Sequence, residues 1–258
     1  MRIMRQLAFT LGLPVILIVI WWLATLGSTS FFVPQPAQLA AELVNVWLGP
    51  RLLEDVVPSV VRLIAGLALA IVVGIALGLT LGTVRWLRRL TEPLFEFLRA
   101  IPATILVPVL LLIIGINDTM KIAVIVFGCV WPILLNTIEG ARAVDQVLTD
   151  TAKIYGLNGL RRVRALVLRS ATPQIMVGIR QSLSIGLILM VISELFASTN
   201  GIGFAIVQFQ RLYQIPEMWS GIVVLGLLGL GLSAVFRLIQ ARVLFWYYGS
   251  REGTGDGA

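Results

Sequence analysis

Long uncharged runs alternate along the chain with short basic ones. Nothing is charged between Arg5 and Glu42, Arg62 and Arg85, Arg99 and Asp118, Lys121 and Glu139, or Glu217 and Arg237. A helix needs about 20 apolar residues to cross a hydrocarbon layer roughly 30 Å thick. The first run supplies one such helix over residues 7–26, and each of the others supplies one. A further stretch, residues 173–197, is equally apolar but carries Arg180 and Glu194. The pattern predicts an all-α integral membrane protein with six transmembrane helices.

The remaining segments have their own periods. Residues 27–57 begin with a turn-rich stretch and Pro34 and Pro36. Residues 37–48 then place Leu39, Leu43, Val46 and Trp47 on one helical face and Glu42 and Asn45 on the other, which predicts an amphipathic helix along the outer interface. The third span carries Pro102 and Pro108 and is expected to bend or unwind at them. Gly74, Gly78 and Gly82 repeat every fourth residue and make a smooth packing face. The chain divides into a first span with its outer segment (1–57), a core of five spans (58–248) and a polar, Gly-rich tail (249–258) expected to be disordered.

Composition narrows the chemistry. Hydrophobic residues make up 58% and charged residues 13%, against roughly 25% charged in a soluble domain. There is no histidine and one cysteine, Cys129, which reads as a small packing residue. That leaves no material for an intrachain disulfide, a His/Cys metal site or a His-based triad. The only lysines, Lys121 and Lys153, follow no glycine, so no phosphate-cradling loop is present. No catalytic, cofactor or metal site is expected in this chain.

The formal charge of +7 would point to nucleic acid in a soluble protein. Here it records orientation instead, and no nucleic-acid partner is expected. With the N-terminus inside, the inner segments hold Arg2, Arg5, Arg85, Arg88, Arg89, Arg142, Lys153, Arg161, Arg162, Arg164, Arg169, Arg242 and Arg251. The outer ones hold only Arg51, Lys121 and Arg211. Basic residues mark the cytoplasmic side, so both termini are expected there. Arg2 and Arg5 fit a leader, but residues 7–26 are too long for a leader's apolar core and carry interfacial Trp21 and Trp22. The span is expected to be retained.

The longest inner connection, residues 139–172, lies between spans four and five. Val144, Leu148, Ala152 and Tyr155 share a helical face, Gly156 and Gly159 interrupt, and a helical pattern resumes at Leu160. A solvated basic loop is one reading. Apolar positions flanked by charge favour a docking element for a cytoplasmic partner. Within the spans, Asn136, Gln181, Ser182 and Ser184 are candidates to line a pathway. Arg99 is a candidate for an inner gate. Arg180 either snorkels to headgroups or offers positive potential, and Glu194 either caps or reaches water, or stands at the pathway rim.

Asp150-Thr151-Ala152, Gly156 and Val167-Leu168 resemble the E-A-A…G…I-x-L-P signature of ABC importer permeases. Asp150 replaces the usual Glu. Arg169 stands where the motif proline is expected, with Pro173 four residues on, so the second loop helix is expected to run straight into the membrane. Residues 58–63, Phe97-Leu98-Arg99-Ala100-Ile101-Pro102 and residues 131–137 are similar to other parts of the permease domain. Ser193-Glu194-Leu195 with Asn200-Gly201-Ile202-Gly203 is similar to the nitrate, sulfonate and taurine branch.

The resemblance implies a type I importer permease fold with a cytoplasmic coupling-helix loop between helices 4 and 5. It implies docking on an ATPase through Asp150, Ala152, Tyr155, Gly156, Leu157, Arg161 and Arg162. It further implies a homodimer in a bacterial inner membrane, two ATP-binding subunits that hold ATP and Mg²⁺, and an extracytoplasmic binding protein that meets residues 31–57 and 197–218. The solute would be a small anionic or polar organic molecule. The alternative is a self-contained secondary transporter or channel, which needs coupling-ion sites or an internal repeat; neither is visible. An intramembrane enzyme lacks a nucleophile–base pair.

Overall fold

In a computed structural model the described residues are 2–27, 31–196, 198–247 and 249, with side chains described from residue 12 onward. Among them every regular element is helical. The order is α1 (Arg2–Thr25), α2 (Pro36–Trp47), α3 (Val57–Thr83), α4 (Arg85–Ala100), α5 (Leu106–Ile114), α6 (Asp118–Arg142), α7 (Gln146–Ile154), α8 (Gly159–Arg162), α9 (Leu168–Phe196), α10 (Ile202–Arg211) and α11 (Ile215–Val243). The chain forms two compact units, residues 1–58 with 199–227, and residues 59–198 with 228–258.

In the first unit, α2 starts where the sequence places it. Pro36 sits in its first turn, and Gln35 and Gln38 cap each other reciprocally. Its apolar face buries Leu39 and Trp47. Trp47 Nε1 donates to Ser220 Oγ at 2.8 Å, and its ring meets Phe209 edge-on at 6.4 Å. Arg51 lies 4.6 Å over the Phe209 ring and pairs with Asp55 at 3.0 Å. Asp55 in turn accepts from the Gly201 amide at 2.8 Å. Residues 197–218, expected as an outer loop, therefore contain an ordered helix, α10, whose Ile202, Ala205 and Phe209 are buried.

The second unit is built on close helix packing. A methyl group on Gly66, Gly74, Gly78 or Gly82 of α3 would lie between 2.5 and 2.8 Å from Ile125, Ile133, Thr137 or Ala141 of α6. The glycine stripe thus seats one helix directly on the other, and the partners recur at the same spacing. A methyl group on Gly178 or Gly186 of α9 would lie 2.7 to 3.1 Å from Pro132, Ile133 or Cys129 of α6. Cys129 and Ser182 exchange hydrogen bonds with each other's carbonyls at 3.2 and 2.7 Å. Cys129 is a packing residue, and Ser182 is buried between helices rather than lining a path. Asn117 caps α6 by accepting from the Met120 amide at 2.9 Å.

Among the described residues four helices are long and apolar enough to cross a membrane: Leu52–Thr83, Asp118–Arg142, Gly159–Phe196 and Ile215–Val243. The pair Arg85–Ala100 and Ala103–Ile114 makes a fifth if taken as one span bent by 70°. The sixth expected span lies on α1, of which only the shorter apolar part Gly12–Thr25 is described with side chains. The bend falls at Pro102 alone. Pro102 holds Ile101 extended, at φ −75° and ψ 117°, and ends α4. Pro108 sits in the first turn of α5, where an amide has no intrahelical partner to lose, so it causes no bend. The basic stretch after α3 is not a simple connection but the amphipathic helix α4. The tail from residue 250 lies outside the described residues.

Candidate functional site

Two features stand out, a charged cluster inside the second unit and the connection between α6 and α9. The cluster grows from charges that interrupt the ends of apolar helices. Arg62 of α3 donates from Nη1 to Glu194 Oε1 of α9 at 2.7 Å and from Nε to Asp118 Oδ1 of α6 at 2.8 Å. Ser59, one turn before Arg62, places its hydroxyl 2.7 Å from Glu194 Oε1. Lys121 Nζ stands 3.4 Å from the same Asp118 oxygen. Ser59, Arg62, Lys121 and Glu194 are buried, and Asp118 is exposed.

The arrangement balances two cations against two carboxylates. An unpaired charge at a helix centre costs about 2.5–3.5 kcal/mol on insertion scales, which is why such residues pair or face water. Glu194 was expected at a rim or in water. It is instead fully buried, because Arg62 and Ser59 together satisfy its carboxylate. Sequence reasoning missed Arg62, Ser59, Asp118 and Lys121 as its surroundings. The available signal was that Ser59 and Arg62 share a helical face and that both signs of charge interrupt the apolar stretches near their ends.

The other pathway candidates are placed as follows. Asn136 Nδ2 donates to the Pro132 carbonyl at 2.8 Å and lies 3.4 Å from Gln181 Oε1. Gln181 and Ser184 are both exposed on α9, so these three residues mark one polar strip. Arg99 is apart from them, on α4, where it faces Glu96 at 3.6 Å beside a small cavity that Trp131 also lines. Arg180 is exposed.

In the α6–α9 connection, Asp145 caps α7 by accepting from the Val147 and Leu148 amides. Asp150 is exposed and bonds within its own helix, to Lys153 Nζ at 2.7 Å and to Gln146. The Lys153 ammonium and the Gln146 amide hold the Asp150 carboxyl below its ordinary value. α7 ends at Gly156, whose φ of +67° suits a residue without Cβ. The Leu157 amide bonds back to the Ala152 carbonyl and the Gly156 amide to that of Lys153, a Schellman termination. Ala152 is buried, so of the expected face it is the residue that packs inward. Ile154, at 84% exposure, and Tyr155, at 79%, point away from the chain's own core, as do Val147 and Leu160. Arg161 is exposed, whereas the Nε of Arg162 is buried without a hydrogen-bond partner among the described residues. From Gly159 the helix runs through a π-helical turn, Val163–Val167, into α9 without a break. This is the continuity expected from Arg169 in place of a proline.

The fold is all-helical among the described residues, with several helices long and apolar enough to cross a membrane. Residues 66–245 match the family of binding-protein-dependent transport system inner membrane components, and the chain belongs to that family. It is 31% identical over 246 residues to the putative aliphatic sulfonates transport permease protein SsuC of Escherichia coli, covering 94% of each chain. It is 27% identical over 251 residues to the taurine transport system permease protein TauC of the same organism, covering 94% of this chain and 91% of that one. Its fold is similar to a chain of the inward-facing MetNI methionine ABC transporter, with a TM-score of 0.67 at 19% identity, covering 77% of this chain and 97% of that one. That likeness speaks to the fold alone. Family membership favours the permease reading over a self-contained secondary transporter.

Proposed function

We propose that two copies of this chain form the pathway of an ATP-driven importer for a small anionic or polar organic solute, sulfonate-like in the first instance. A binding protein delivers the solute to the first unit, whose face between α2 and α10 presents Asn45, Arg51, Glu54, Asn200, Gln208 and Glu217 around one cavity. Each copy docks one ATPase subunit through α7, the Gly156 turn and α8. ATP and Mg²⁺ are held by that subunit, and this chain performs no covalent chemistry. Both termini lie in the cytoplasm of a bacterial cell.

The observation that carries the reading is the apolar row Val147, Ile154, Tyr155 and Leu160. It is exposed on α7 and the turn and helix start that follow it, and is flanked by Asp150, Lys153 and Arg161. Exposed apolar positions of this kind mark an interaction surface. The relatives' names, sulfonates and taurine, support the solute class. The test is reconstitution with the ATPase and the binding protein in lipid vesicles. ATP hydrolysis stimulated by the solute-loaded binding protein is expected. Solute movement driven by an ion gradient, with no ATPase present, would overturn the reading.

A further inference from the structure

The cavity beneath the α6–α7 junction has a volume of about 500 Å³ and is lined by five arginines and no carboxylate. Arg85, Arg88 and Arg89 come from the start of α4, Arg142 from the end of α6, and Arg162 from the end of α8. Among the described residues only Arg142 of these makes an ion pair, with Glu139 at 3.0 Å. The nearest loop acid, Asp145, spends its carboxylate on the amides of α7. Arg162, which lines this cavity, has a buried Nε with no hydrogen-bond partner among the described residues.

Five guanidinium groups around one space repel each other, and a buried donor without an acceptor is costly. Both costs are removed by one anion with several acceptor oxygens. Guanidinium groups bind phosphate oxygens through paired, charge-assisted hydrogen bonds. The level of the cavity identifies which phosphate. It is bounded by the ends of the apolar helices Leu52–Thr83 and Asp118–Arg142 and the beginning of Gly159–Phe196. The basic residues mark this end of the helices as the cytoplasmic side, and basic pockets between span ends take anionic headgroups.

We infer that this cavity is a binding site for the phosphodiester headgroup of an anionic membrane lipid, placed where it ties the start of α4 and the end of α6 to the beginning of the coupling segment. Arg162 then faces a lipid phosphate rather than the ATPase, while Arg161 remains on the outer side of the loop. Lipid charge in this leaflet thereby bears on the position of α7 and α8.

The full chain, purified in a neutral detergent, is titrated with phosphatidylglycerol, phosphatidylcholine and inorganic phosphate and observed by native mass spectrometry. Phosphatidylglycerol is expected to bind at least about tenfold more tightly than phosphatidylcholine, a difference set by the headgroup charge. Arg88→Gln with Arg162→Gln is expected to remove that preference. Arg164→Gln with Arg169→Gln removes the same charge from exposed positions off the cavity and is expected to keep it. Should the first pair fail to fold, Arg85→Gln with Arg89→Gln, both exposed, is expected to weaken binding in the same direction. Competition by millimolar inorganic phosphate would support the phosphate chemistry and assign the site to a free anion. Equal loss in cavity and control variants, or equal binding of phosphatidylcholine, would overturn the site. So would release of the lipid when the ATPase subunit is added, since the cavity would then belong to the ATPase.

Discussion

Glu194 illustrates how a single residue is decided by partners remote in the chain. Arg62 stands 132 positions away, yet its Nη1 is 2.7 Å from the carboxylate. Removing Glu194 leaves two buried cations, Arg62 and Lys121, against the single carboxylate of Asp118. Glu194→Leu is expected to cost about 3–5 kcal/mol of stability, read as a lowered melting temperature in detergent. Arg62→Met combined with Glu194→Leu is expected to recover a large part, because neither charge is then stranded. Gly78 poses the opposite problem, of space. A methyl at its Cα would lie 2.5 Å from Thr137 Cβ, so Gly78→Val is expected to separate α3 from α6 and reduce the yield of folded protein. The glycine stripe was legible from its spacing. Its partner helix was not, because the same spacing fits any neighbouring helix.

Among the elements, α7 and its termination bear most directly on function. Gly156 has open space around it but a φ of +67°, so the demand there is conformational and not steric. A β-branched residue in that region costs about 1–2 kcal/mol. Gly156→Val is expected to distort the turn, leave the apolar helices folded, and separate ATP hydrolysis from transport. Gly156→Asn, which tolerates positive φ better, is expected to lie between the variant and the parent. Transport by Gly156→Val equal to the parent would remove the turn from the mechanism. Cysteines at Thr151 and Leu157 are expected to cross-link to the ATPase subunit, with labelling blocked when that subunit is bound. The two helical pieces and the uninterrupted run from Gly159 to Phe196 were readable from glycine and proline positions. The helix α4 was not, since its arginines break the apolar pattern that marks a span.

At the scale of the whole molecule, the solute and its delivery set the expectations. A permease that bound its solute tightly would release it slowly, so selectivity is better placed in the separate binding protein. Calorimetry with the same sulfonate is expected to give the binding protein micromolar or better affinity, roughly −8 kcal/mol or more favourable, and this chain much weaker binding. Tight, stoichiometric binding by the isolated chain would return the secondary-transporter reading. The assembled complex is expected to contain two copies of this chain, measurable by its mass in detergent.

Local pattern alone shows that the chain is built of apolar helices, where its glycine breaks and α7 fall, and that it carries no phosphate loop. These follow from local period, composition and backbone stereochemistry, which act over one or two helical turns. Helix packing sets the burial of Glu194 against Arg62 and Ser59, the facing of Ser182 and Cys129, and the gathering of five arginines from α4, α6 and α8 around one cavity. Those depend on which helices meet and in what rotation. Charge in a membrane is compensated through space, between residues that the chain itself keeps far apart.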